Sequence, residues 1–158
     1  MFASMKTINY RRAVTFSIPA NWAVEDEPGR QASFYERRPG SGTLKVNAYG
    51  FERNDPEGID GDDLPPALEG QPWEDFPAGV RLFTESRPSP RRADLLERRW
   101  LYQVPLGKNA YRLIVFTYTI VGSMKDEPAN AAEYAMLDKM IRQAHISLEP
   151  GFNELDQF

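Results

Sequence analysis

Two periodicities divide the chain. From Ala110 to Ile120 the run Ala-Tyr-Arg-Leu-Ile-Val-Phe-Thr-Tyr-Thr-Ile carries apolar groups on both parities. Tyr111, Leu113 and Val115 fall on one side; Ile114, Phe116, Tyr118 and Ile120 fall on the other. A strand with one wet face would alternate cleanly, so this pattern predicts a central strand covered on both faces. Beyond Val121-Gly122 the period changes. Tyr134, Leu137, Ile141 and Ala144 recur at helical spacing, with Met136 and Met140 widening the stripe. The helix is predicted to reach about His145, with Asp126 as cap and Pro128 in its first turn. The alternative start is Asn130 as cap, with Glu133 three residues on completing a capping box.

Upstream, Ala13 to Ile18 alternates with Phe16 and Ile18 on the core parity, and Pro19-Ala-Asn-Trp22 turns the chain. Residues 26–30 read as a loop. A short strand over 32–37 places Phe34 and Tyr35 on opposite faces. Pro39-Gly-Ser-Gly42 reverses into a strand over 43–51, with Leu44, Val46 and Ala48 inward and Lys45, Asn47 and Tyr49 outward. These three strands read as an antiparallel meander. Strands resume over 80–86 and 94–104, the second with Leu96, Trp100, Tyr102 and Val104 on one parity and Arg98 interrupting it. The loop Pro105 to Asn109 then predicts a hairpin pairing 99–104 with 111–116.

Residues 52–79 break both periods. They are acidic and interrupted by Pro56, Pro65, Pro66, Pro72 and Pro77, leaving room for one short helix capped by Asp62 or Asp63. Trp73, Phe76 and Leu68 are the side chains able to staple this excursion to the body. Residues 148–158 form a tail, docked or frayed. The chain thus reads as a single α+β domain over 1–158. One antiparallel sheet of about six strands is packed by a C-terminal helix, with at most one short additional helix.

Composition narrows the chemistry. A net charge of −4 argues against nucleic acid, whose binding depends on a basic footprint. Arginine pairs at 11/12, 37/38, 91/92 and 98/99 do not amount to such a footprint, because adjacent strand residues face opposite ways. They read as solvated edges and rims. Cysteine is absent, which removes disulfides, thiol catalysis, Cys-ligated zinc and a lipobox anchor. Neither a signal-like apolar core nor a membrane-length apolar run occurs, so the expected location is the cytoplasm.

No catalytic signature is present. The single histidine, His145, reads as a helix-end or surface residue without a carboxylate partner. No serine sits on a nucleophile elbow, and Pro39-Gly-Ser-Gly42 lacks the lysine of a phosphate loop. No carboxylate pair suited to glycoside or proton chemistry can be picked out. The acidic run from Asp55 to Asp63 fails the EF-hand test, since the twelfth position holds Pro66 where a glutamate is needed. Neither cofactor nor metal is expected. The aromatics Trp22, Trp73, Trp100, Tyr102, Tyr111 and Tyr118 suffice for a groove, with core packing as their default role.

Several stretches resemble the PsbP-like superfamily, including its bacterial DcrB-like branch. Phe16-Ser-Ile-Pro-Ala-Asn-Trp22 is similar to the opening strand and Pro-x-x-Trp turn of that group, and Gly42-Thr-Leu-Lys-Val46 to its third strand. Tyr111 to Tyr118, followed by the helix through Leu137 and Ile141, is similar to its closing unit. The resemblance implies an α/β/α sandwich without catalytic machinery, used for binding or accessory work. One bacterial branch acts as chaperones for type VI secretion effectors. The chain departs from the pattern where prolines break 56–77, in place of the helix after the third strand.

The leading expectation is therefore a non-enzymatic binding protein, chaperone-like, with a protein partner. Its candidate contacts are Asp60, Asp62, Asp63, Trp73, Phe76 and Tyr49. Two alternatives stand beside it: an immunity protein that blocks the basic site of a toxin with its acidic loop, and a small-ligand carrier or enzyme with an unrecognised pocket.

Overall fold

The computed structural model describes residues 4–26, 31–52, 72–106 and 110–149. Its strands in chain order are β1 (Met5–Tyr10), β2 (Val14–Pro19), β3 (Ala23–Asp26), β4 (Ala32–Tyr35) and β5 (Thr43–Glu52). They continue with β6 (Glu74–Asp75), β7 (Arg81–Pro88), β8 (Leu95–Pro105) and β9 (Ala110–Val121). Helix α1 (Pro128–Arg142) and β10 (His145–Ile146) close the described chain.

The two-sided apolar run places β9 where its pattern requires, fourth in a seven-stranded antiparallel sheet of order β3-β4-β5-β9-β8-β7-β6. Every side chain from Tyr111 to Phe116 is buried. The hairpin expected across Pro105 to Asn109 forms, pairing Val104 with Arg112 and Trp100 with Phe116. The α+β class read from the periodicity holds: an antiparallel sheet packed by a C-terminal helix. Among the described residues no other α-helix is present, and none lies on the sheet's second face.

The meander of three strands is corrected. β2 does not pair with β4; it belongs to a separate three-stranded sheet of order β1-β2-β10. Its apolar parity lies across the large sheet, with the Phe16 ring edge-on to Phe34 at 5.5 Å and to Phe116 at 5.2 Å. Alternation says that one face of β2 is buried, and packing face to face satisfies it as well as pairing edge to edge. β1 escaped the sequence reading because its hairpin turn lacks an Asn-Gly signal. Arg11 and Arg12 occupy the turn, both at positive φ (50° and 57°). β3 also escaped it. Residues 23–26 carry exposed Val24, Glu25 and Asp26 at the sheet's edge, where alternation is weak.

The helix starts with Pro128 in its first turn, as expected, but neither Asp126 nor Asn130 caps it. Glu127 holds the cap position in extended conformation and gives no side-chain cap bond. Asn130 is buried inside the helix and serves tertiary contacts. The helix also ends earlier than expected, at Arg142, because the chain must turn to pair His145 with Thr15 and Ile146 with Val14. His145 is accordingly an exposed strand residue and not the end of a helix.

The inner layer between the large sheet, the small sheet and α1 holds the main core: Leu44, Val46, Leu82, Trp100, Ile114, Phe116, Leu137 and Ile141 among others. A second, smaller cluster of Phe83, Leu101, Leu113 and Val115, with Trp73 packed against it, lies on the outer face. This outer cluster accounts for the second apolar parity of β9.

Candidate functional site

Two polar assemblies stand out, one beneath the sheet and one above it. The first is a clasp between the 36–42 hairpin and α1. Glu133 lies on the helical stripe of Leu137 and Ile141 and is buried with them, its side chain only 4% exposed. It accepts the Tyr118 hydroxyl at 2.5 Å and the Ser41 hydroxyl at 2.8 Å, with an Arg38 guanidinium nitrogen at 3.6 Å. Arg38 also donates to Asn130 Oδ1 at 2.8 Å and to Glu36 at 3.2 Å. Asn130 Nδ2 donates in turn to the Gly40 and Met124 carbonyls. Gly40 makes the reversal at φ 79°, the left-handed region that favours glycine. A buried carboxylate is tolerated only when its oxygens are bonded, and these donors meet that condition.

The clasp closes over residues the sequence reading passed by. Glu133 was read as part of a capping box, and Ser41 and Arg38 as turn and rim. One signal was available: Glu133, Leu137 and Ile141 recur every four residues, so a glutamate falls on the apolar face of the helix. Tyr118 and Asn130 are buried beneath the clasp. It fixes the start of β5, and with it the opposite face of that strand.

Tyrosine burial on this inner side has a measurable consequence. Burial pushes the Tyr102 phenol up to about 12 from 10.0, while its hydroxyl donates to the Ile141 carbonyl at 2.7 Å. Burial, together with the bond to Glu133, also raises Tyr118. Above the ordinary phenol pKa the unfolded chain releases protons that the folded chain keeps, so stability falls as pH rises toward the folded values. Unfolding free energy should drop by about 2 kcal/mol per buried tyrosine between about pH 9 and about pH 11.5. Urea titrations at the two pH values check this, and Tyr102→Phe should flatten the slope. An equal slope in the variant removes Tyr102 as its cause.

The second assembly is the outer face. Register places Glu25, Ser33 and Lys45 in one row across β3, β4 and β5, continuing into Thr117, Arg99 and Glu85. The neighbouring row is Tyr35, Thr43, Thr119, Glu97 and Arg87. Most of these side chains are half-buried and none is apolar. Arg99 pairs with Glu85 at 2.9 Å and Arg87 with Glu97 at 3.1 Å, so these two cations are neutralised. Arg98 points to the other face, over the Tyr134 ring at 3.7 Å. The rim reading is corrected for Arg98 and Arg99, which are half-buried on opposite faces of the interior strand β8, and for Arg38, which belongs to the clasp.

At the β3–β5 end the face sinks into a depression of about 320 Å³ lined by Glu25, Gln31, Ser33, Tyr35, Thr43 and Lys45. Tyr35 donates its hydroxyl to Glu25 at 3.0 Å, and that carboxylate raises the phenol's pKa. Asn47 donates to Gln31 at 3.1 Å just beyond it. Among the described residues the Lys45 ammonium has neither an ion-pair nor a hydrogen-bond partner.

Of the six candidate contacts, Tyr49 stands exposed on this outer face, 44% accessible, at the same strand parity as Lys45. Trp73 and Phe76 act as staples. Trp73 packs on Phe83 at 5.8 Å beneath the Arg81 guanidinium, and Phe76 packs edge-on to Tyr102 at 5.8 Å on the inner side. Glu74 between them is tied to Arg142 at 2.5 Å, linking the edge strand to the helix end. Asp60, Asp62 and Asp63, together with the short helix suggested for their segment, lie outside the described residues. So do Leu68 and the end of the tail. Among the described residues no group of three or more His, Asp or Glu side chains converges for a metal, and no helix is long and apolar enough to cross a membrane.

No family model and no curated protein matches the chain. A solved structure from Bacteroides thetaiotaomicron VPI-5482 is similar to it, with a TM-score of 0.50 and 12% identity over 93% of this chain. The match covers 49% of that protein, so this chain spans about half its length. The likeness is one of fold alone.

Proposed function

We propose that this protein is a non-enzymatic accessory module of the PsbP-like, DcrB-like kind, working in the cytoplasm and holding a protein partner on the outer face of its large sheet. The observation that carries the reading is Tyr49. It is a large aromatic, 44% accessible, on the outer face beside its register partner Leu113, at the margin of the outer apolar cluster. Tyrosine in such a setting supplies contact area at small entropic cost and is enriched among residues that dominate interface energetics. Its row runs on through Leu113, Gln103 and Arg81, which favours a partner surface of mixed apolar and hydrogen-bonding character.

Affinity capture from the native host tests the reading, with wild type and Tyr49→Ala run in parallel. Wild type should retain a specific partner, and the variant should bind the purified partner at least about 30-fold more weakly. The reading fails if the two columns retain the same proteins equally, or if neither retains a specific one.

A further inference from the structure

The depression at the β3–β5 end differs from the rest of the outer face in one respect. Its charges are separated and of opposite sign, and they do not neutralise each other. In the rows that continue across β7 and β8, Arg87 and Arg99 each have a carboxylate within salt-bridge distance. Here Glu25 stands on the edge strand β3, Lys45 on β5, and Ser33 between them on β4. Their backbones are two strands apart, about 9.5 Å. The Glu25 carboxylate accepts the Tyr35 hydroxyl at 3.0 Å and makes no ion pair with the ammonium.

Half-buried Lys45 sits in a row flanked by the small hydroxyl residues Ser33 and Thr117, with Thr43 beside it along the strand. An ammonium offers three donors, and a carboxylate that has accepted one hydroxyl still has lone pairs free. The floor between them supplies further hydroxyls and the Gln31 amide. Binding pockets for drug-like ligands are lined mostly by apolar groups around a few polar ones. This depression is lined by polar side chains throughout, and so suits a small, strongly polar ligand.

From this geometry we infer a binding site for a small zwitterion whose carboxylate meets Lys45, Ser33 and Thr43 and whose ammonium meets Glu25 beside Tyr35. A lone anion would satisfy Lys45 but would face the Glu25 carboxylate at the other lip. A lone cation has the converse difficulty. The two-strand separation selects further. An α-amino acid holds its charges too close together to engage both lips, whereas an ω-amino carboxylate with several methylenes between them can span the gap. The inference goes beyond the partner reading and does not rest on it. Tyr49 lies four residues along β5 from Lys45, about 13 Å away, outside the lining of the depression.

The test is a chain-length series titrated into the full-length protein: glycine, 4-aminobutyrate and 6-aminohexanoate, with butyrate and butylamine as single-charge controls. Amide chemical-shift changes locate the site and give the affinity. The expected result is saturable shifts confined to β3, β4 and β5 with 4-aminobutyrate or 6-aminohexanoate. Glycine, butyrate and butylamine should each bind at least about tenfold more weakly. Lys45→Met and Glu25→Gln, both changes at non-core positions, should each weaken binding of the best zwitterion by about tenfold or more, with thermal midpoints unchanged. Butyrate binding as tightly as the zwitterions would reduce the site to a simple anion contact and overturn the inference. It is equally overturned if no compound saturates below about 50 mM, or if binding survives in both variants. Loss of partner capture in Tyr49→Ala with zwitterion binding intact separates the two proposals.

Discussion

Gly42→Ala should destabilise the protein by about 3 kcal/mol, the upper end of the usual cost of overpacking a core. A methyl group built at this buried position would lie 2.5 Å from Cε1 and Cζ of Tyr118 and 2.7 Å from its hydroxyl. The tip of an aromatic side chain can often swing aside. This one cannot, because Tyr118 is 1% exposed, bonded to Glu133 at 2.5 Å, and stacked near Tyr134 at 6.4 Å between ring centres. Relief would require breaking the clasp or moving β5 away from β9. Gly50→Ala, within β5, is the matched control for Gly42, which immediately precedes that strand. Nothing lies within 4 Å of the added methyl there, so its stability should be unchanged or slightly improved. Urea unfolding of the pair decides the matter. Equal midpoints for the two variants would mean that Tyr118 is not pinned.

Glu133→Ala should cost about as much, roughly 3 kcal/mol, by a different mechanism. Its removal leaves the buried Tyr118 hydroxyl without its carboxylate acceptor, leaves the Ser41 hydroxyl only the Gly42 carbonyl at 3.4 Å, and takes a carboxylate from beside Arg38. Glu133→Gln retains an acceptor oxygen and should lose only about 1 kcal/mol. Tyr118→Phe in the Glu133→Ala background should then be nearly neutral, giving a coupling of about 1–2 kcal/mol across the cycle. Strict additivity in that cycle would show that the two side chains do not act together. The clasp also has a functional consequence. It anchors the hairpin from which Thr43 and Lys45 emerge on the other face, so Glu133→Ala should weaken zwitterion binding along with stability.

The two halves of the site differed in how legible they were. The outward parity of Lys45, Asn47 and Tyr49 follows from simple alternation beside Leu44, Val46 and Ala48, and the structure places all six accordingly. Trp73 and Phe76 read correctly as staples, because large aromatics in a proline-broken stretch have few other ways to bury area. What alternation leaves open is which strand stands beside which. Glu25 lay at the edge of a stretch read as a turn and a loop, and Ser33 in a strand thought to neighbour β2. Their meeting with Lys45 depends on register across three strands. The same limit hid the clasp, whose partners are separated by up to 92 residues in the chain.

By itself the sequence determined the α+β class, the central position of β9, the C-terminal helix and the inward or outward facing of most strand residues. Each of these follows from local periodicity, because burial of a face imposes period two on strands and about 3.6 on helices. The tertiary structure alone decided that β2 packs across the large sheet, that Glu133 turns inward to Tyr118 and Ser41, and that Glu25 and Lys45 frame one depression. These depend on which faces and edges meet, and a pattern of apolar positions says only that a face is covered, never by what.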